Sequence, residues 1–135
     1  MIKYLTEELL KRRDQLASYK HKLKFLLCDE RFVAFNSADS TYGEYVTRGL
    51  FTGLGIPEEN LFPIKVDSAN VNECAEEYES RLRPLLNSNN GFDFLLFGCG
   101  PDGHTCSLFP GHDLFVNSAN YSDKIVVPIS KFSSI

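Results

Sequence analysis

KLKFLLCDER occupies residues 22–31, and its first seven residues form a short, nearly continuous apolar run. A run of that length predicts a strand buried on both faces, as in a parallel sheet. It ends abruptly in Asp29, Glu30 and Arg31. Before it, Ile2, Leu5, Leu9 and Leu16 recur at helical spacing, which predicts a helix over residues 2–18 that starts at Met1 with neither a capping residue nor a lead-in strand. After it comes a loop over 32–40, then Thr41 and Glu44 as a capping box. Tyr42, Tyr45, Val46, Leu50 and Leu54 form the face of the helix that follows, which Gly53, Gly55 and Pro57 close.

LFPIKVD (61–67) predicts a weaker second strand, demoted toward an edge by Pro63. Asn70 and Glu73 open the next helix, whose apolar face is Val71, Cys74, Ala75, Tyr78, Leu82 and Leu85. NSNNG (87–91) reads as a loop, FDFLLFG (92–98) as a third strand, and KIVVPIS (124–130) as a fourth, with no period between 99 and 122. Strands alternating with helices imply right-handed crossovers and an α/β fold built on a parallel sheet. Ligands of such sheets bind beyond the carboxyl ends of the strands. The two polar clusters at those ends, Asp29-Glu30-Arg31 and GCGPDGHTCS (98–107), are therefore expected to face one crevice.

A chain of 135 residues is one domain's worth, so residues 1–135 are expected to form a single domain. With 43% hydrophobic and 24% charged residues it is an ordinary globular composition, which excludes disorder and low-complexity classes. The net charge of −4 argues against a general nucleic-acid binder. The longest apolar runs are too short to span a bilayer. The amphipathic start MIKYLTEELL reads as no signal peptide. Cys28 and Cys99 lie in apolar runs, where cysteine acts as a small hydrophobe, and all four cysteines are expected as reduced thiols. Together these features predict a cytoplasmic, soluble protein.

Gly98, Gly100 and Gly103 have the spacing of a dinucleotide fingerprint, but Pro110 and Gly111 leave no room for the long helix that must hold the pyrophosphate. A glycine-rich turn explains the glycines and leaves Asp102 and His104 to be explained. His104, on a strand-end loop, is the candidate general base, with Asp102 two residues away to orient it. The bland alternative is a hydrogen-bonded surface histidine, which is also the reading of His21 and His112. Arg31 offers a planar fork for phosphate, against an ion pair with Asp29 or Glu30. Cys99, His104, Cys106 and His112 lack the spacing of a tetrahedral zinc site, so no metal is expected. Cys106 is read as an inert thiol.

Taken together, LLCDERFVAFNSADSTYGEY (26–45) and FDFLLFGCGPDGHTCSLFP (92–110) closely resemble the 6-phosphogluconolactonase family, its animal members above all. The family pattern is a DER-x-V-P loop, here with Ala34 for proline, and a strand leading into G-x-G-x-DGHT-x-SLFP. The resemblance implies a three-layer, modified Rossmann-like domain, of which this chain would be an incomplete core lacking the phosphate loop before its first helix and the units after KIVVPIS. It implies hydrolysis of a phosphorylated sugar lactone, 6-phospho-D-glucono-1,5-lactone, with no metal and no organic cofactor. His104 would be the general base. Arg31 would hold the phosphate, with Asp29, Asp102, Gly100 and Gly103 beside the substrate and glycine N–H groups facing the oxyanion. Two alternatives stand beside this reading. One is a non-catalytic fragment or interaction module. The other is a sugar-phosphate isomerase/deaminase, disfavoured because Arg31 and Leu108-Phe109-Pro110 replace that class's DEY and glutamate-bearing stretches.

Overall fold

The computed structural model describes residues 1–89 and 91–129. Their contacts divide the chain into two compact units, Met1–Pro63 and a second that begins at Ile64. Among the described residues the fold is α/β, with two paired strands that run parallel.

In the first unit the opening helix is interrupted. Helix α1 spans Ile2–Lys11 and α2 spans Arg13–Leu16, with Arg12 between them at φ −102° and ψ 11°. The Arg12 N–H turns back to the Leu9 carbonyl at 3.1 Å, a tightened final turn. Strand β1, Phe25–Leu26, pairs with β2, Leu61–Phe62, placing Phe25 opposite Leu61. Both strands are shorter than their apolar runs. Pro63 has no N–H to continue the ladder, and β2 is the only neighbour of β1 among the described residues.

The helix expected from Thr41 to Leu54 is two helices, α3 (Thr41–Thr47) and α4 (Leu50–Leu54). Gly49 breaks it by adopting φ +70°, a conformation that L side chains resist. The break turns Leu50, Phe51 and Leu54 inward, where with Ile56 they form the core, packed by Leu9, Leu10, Leu16, Phe25, Tyr42 and Tyr45. Phe51 is the aromatic hub, with ring centroids 5.4 Å from Phe25 and 5.6 Å from Tyr42.

The second unit is built on α5, Val71–Asn89. Asn70 caps it as expected, its Oδ1 accepting the N–H groups of Asn72 and Glu73 at 3.0 Å. Cys74, Ala75, Tyr78 and Leu82 are its buried stripe. The expected strand at 92–98 is absent. These residues make no strand, and Phe94 and Phe97 are 78% and 53% exposed. Apolar and aromatic composition favours a strand but does not supply the neighbour that a ladder requires. KIVVPIS likewise forms no strand over 124–129, where Pro128 removes a donor; its last residue, Ser130, lies outside the described residues. Short helix α6, Asp113–Val116, is capped by His112, whose Nδ1 accepts the Leu114 N–H at 3.2 Å. Cys28 and Cys99 are exposed rather than packed, and Cys74 is the buried thiol.

The segment 123–126 is held to α5 by a clasp instead of a ladder. Glu79, only 7% exposed, accepts the Val126 N–H at 3.2 Å and pairs with Arg83, which also donates to the Asp123 carbonyl at 2.5 Å. Burial pushes the Glu79 carboxyl up, but the bonds from Val126 and Arg83 outweigh it and hold the group below its ordinary 4.5. A lowered folded value means that the clasp contributes fully above pH 4.5 and is lost as the pH falls through the folded value. The stability of the unaltered chain is therefore expected to fall more steeply below pH 4.5 than that of Glu79→Gln, read as urea midpoints against pH. Parallel curves would remove the clasp from the acid response.

Candidate active site

The glycine-rich stretch folds into a turn that closes on itself. The Gly100 N–H donates to the His104 carbonyl at 2.8 Å, and the Gly103 N–H donates to the Gly100 carbonyl at 3.0 Å. Gly103 sits at φ +88°, which only glycine adopts without strain. Thr105 anchors the far side, its hydroxyl donating to the Gly98 carbonyl at 2.9 Å and its backbone bridging to Cys99 and Leu108. Cys106, at φ +52°, completes the reversal in a conformation unusual for a residue with a side chain.

This turn brings Asp102 and His104 together. Asp102 Oδ1 lies 2.5 Å from His104 Nδ1 and also accepts the His104 N–H at 3.3 Å. Donation from the His104 side chain holds the Asp102 carboxyl below the usual aspartate range. With Nδ1–H given to the carboxylate, Nε2 becomes the basic nitrogen of the ring. Phe109 lies against that ring with centroids 4.6 Å apart. Gly100 lies under it so closely that a Cβ there would collide with the ring atoms. The imidazole is thus held on three sides by an acid, an aromatic ring and bare backbone, while its side chain keeps 31% of its exposure. An arrangement of this kind can serve as an oriented general base. The N–H groups of Gly100 and Gly103 already have carbonyl acceptors, so an oxyanion role for them requires those bonds to be shared or opened.

The second cluster belongs to the other unit. Asp29 and Glu30 are partly buried and Arg31 is exposed, in a stretch that begins three residues after the end of β1. Glu30 was absent from the sequence-derived site, yet it organises this loop. Its Oε1 accepts the N–H groups of Arg31 at 2.8 Å and Thr41 at 2.9 Å; its Oε2 accepts the Tyr42 N–H at 2.7 Å and the Ser40 hydroxyl at 3.3 Å. The expected Thr41/Glu44 capping box is replaced accordingly. Ser40 is the N-cap of α3, accepting the Gly43 N–H at 3.0 Å, and Glu30 supplies the other cap from eleven residues upstream of Thr41. No local spacing announces such a contact. Phe109 was equally unmarked as the partner of His104, although it stands inside the quoted SLFP stretch. Among the described residues no group of three or more His, Cys, Asp or Glu side chains is arranged to hold a metal ion. No helix among them is long and apolar enough to cross a membrane.

Comparison with known proteins agrees with the motif reading. The family model for glucosamine-6-phosphate isomerases/6-phosphogluconolactonase matches residues 1–133. The 6-phosphogluconolactonase of Homo sapiens is 47% identical over 105 residues, covering 76% of this chain and 38% of the human protein. That of Rattus norvegicus is 45% identical over 104 residues, with the same shares. The probable 6-phosphogluconolactonase of Drosophila melanogaster is 39% identical over 108 residues, covering 80% of this chain and 42% of the fly protein. The chain therefore spans about two fifths of the length of these curated relatives. No solved structure matches the chain significantly.

Proposed function

Because the chain belongs to the glucosamine-6-phosphate isomerase/6-phosphogluconolactonase family, we propose that it carries the lactonase chemistry for which its animal relatives are named: hydrolysis of 6-phospho-D-glucono-1,5-lactone to 6-phosphogluconate in the pentose phosphate pathway, as a single cytoplasmic domain. The observation that carries the reading is the Asp102–His104 pair at 2.5 Å, held in a turn whose glycine leaves room for the imidazole.

His104 Nε2 takes a proton from water as its oxygen bonds to the lactone carbonyl carbon. Asp102 holds the ring in the required tautomer and stabilises the imidazolium that forms. Collapse of the tetrahedral intermediate breaks the bond to the ring oxygen, which receives the proton back from His104. Arg31 anchors the phosphate, and Asp29 and the loop glycines line the substrate. Binding energy from a phosphate remote from the carbonyl positions the reacting atoms and lowers the barrier.

The direct test is lactone opening by the 135-residue chain above the spontaneous rate. A folded chain that adds nothing to that rate is the scaffold or fragment of the alternative reading. Arg31 is tested by a substrate pair. A lost charge-assisted hydrogen bond is worth about 1.5–3 kcal/mol, so Arg31→Ala is expected to lower kcat/KM roughly 10- to 100-fold for the phosphorylated lactone. It should leave the unphosphorylated lactone nearly unchanged. Equal losses on both would contradict the phosphate assignment.

A further inference from the structure

We propose that Glu30 is the positioning residue of the phosphate-holding loop: its carboxylate fastens the main chain of Arg31 to the first turn of α3, so that the guanidinium departs from a fixed point. The proposal rests on the reading of Arg31 as phosphate ligand. Its own ground is geometric. One side chain accepts the Arg31, Thr41 and Tyr42 N–H groups and the Ser40 hydroxyl, two donors on each oxygen. The loop between Arg31 and Ser40 is thereby closed at its base. It is closed again near its middle, where Gly43 lies so close to the Phe35 carbonyl that a Cβ could not be accommodated. Ser40, 2% exposed, seals the same turn.

Charge gives a second reason for this arrangement. A carboxylate next to Arg31 opposes an incoming phosphate unless its own charge is offset. Three backbone N–H groups, two of them at the positive end of a helix, supply that offset. Glutamine keeps the length of Glu30 but turns an amide NH₂ toward backbone donors. Aspartate keeps the charge but is one methylene too short to reach donors on both sides of the loop.

The test uses the full 135-residue chain, with 6-phosphogluconate titrated by NMR and amide hydrogen exchange followed at Arg31, Thr41 and Tyr42. Glu30→Gln is expected to speed exchange at all three amides and to weaken 6-phosphogluconate binding about 10-fold, a loss of the size expected for one charge-assisted hydrogen bond. Val46→Gly is the control, because it weakens α3 at a half-exposed position outside the Glu30 network. It is expected to leave affinity within about twofold. Two results overturn the proposal: equal weakening by Glu30→Gln and Val46→Gly, or unchanged affinity in Glu30→Gln while Arg31→Ala binds weakly. Unchanged affinity in Arg31→Ala instead overturns the phosphate reading, and the positioning role falls with it. A folded, unaltered chain that binds no 6-phosphogluconate overturns both.

Discussion

His104→Ala is expected to lower the protein-dependent rate of lactone opening by roughly 10²–10⁴, the usual worth of a positioned base. The lactone also opens spontaneously, so the quantity to compare is the difference between the unaltered chain and its alanine twin, purified side by side. The imidazole is held by Asp102 at 2.5 Å and by Phe109 at 4.6 Å between centroids, and neither neighbour in that set can act as base in its place with the same reach. Asp102 is a poor substitute, because a carboxylate is a far weaker base than an imidazole. Gly100→Ala is a companion that leaves the histidine in the sequence but drives a methyl group into its ring. It is expected to reproduce much of the loss by displacing the base rather than deleting it. Equal rates for the unaltered chain and His104→Ala would remove His104 from the role.

Leu50→Ala is expected to cost about 2–5 kcal/mol, the range for emptying a well-packed leucine site. Leu50 is 1% exposed and lies at the centre of the Phe51, Leu54 and Ile56 cluster. Small domains hold only about 5–15 kcal/mol in total, so the loss consumes a large share of the first unit's stability. Urea denaturation followed by the near-ultraviolet signal of the Tyr42–Phe51 ring pair reads it out. A loss below about 1 kcal/mol, smaller than a leucine cavity leaves, would show that this cluster collapses around the vacancy.

Helix α5 was readable in the sequence over its start and middle, although it runs on to Asn89 through residues that read as the start of a loop. Its apolar stripe repeats at helical spacing and its cap lies within three residues, so every signal is local. The segment 41–54 was half readable. Its amphipathic face was correct except at Val46, which is 50% exposed, and nothing local chose Gly49 over Gly53 as the glycine that leaves the helical region. The apolar runs at 92–98 and 124–129 misled, because a strand is a relation between two segments and composition describes only one.

The candidate site divides in the same way. Asp102 and His104 are two residues apart, so their pairing was visible in the motif. Glu30 meets residues 40–42 across a loop, and no spacing rule predicts that meeting.

From the sequence alone came the α/β class, the strand-ending charged cluster, the acid–histidine turn and the family resemblance. These depend on periodicity and on residue types a few positions apart, where covalent geometry limits which groups can meet. Only the tertiary structure decided which glycine breaks a helix, which apolar runs find a ladder partner, and which carboxylate caps α3 from eleven residues upstream of Thr41. Those outcomes depend on burial and on hydrogen bonds between groups far apart along the chain, which the order of residues does not limit to one partner.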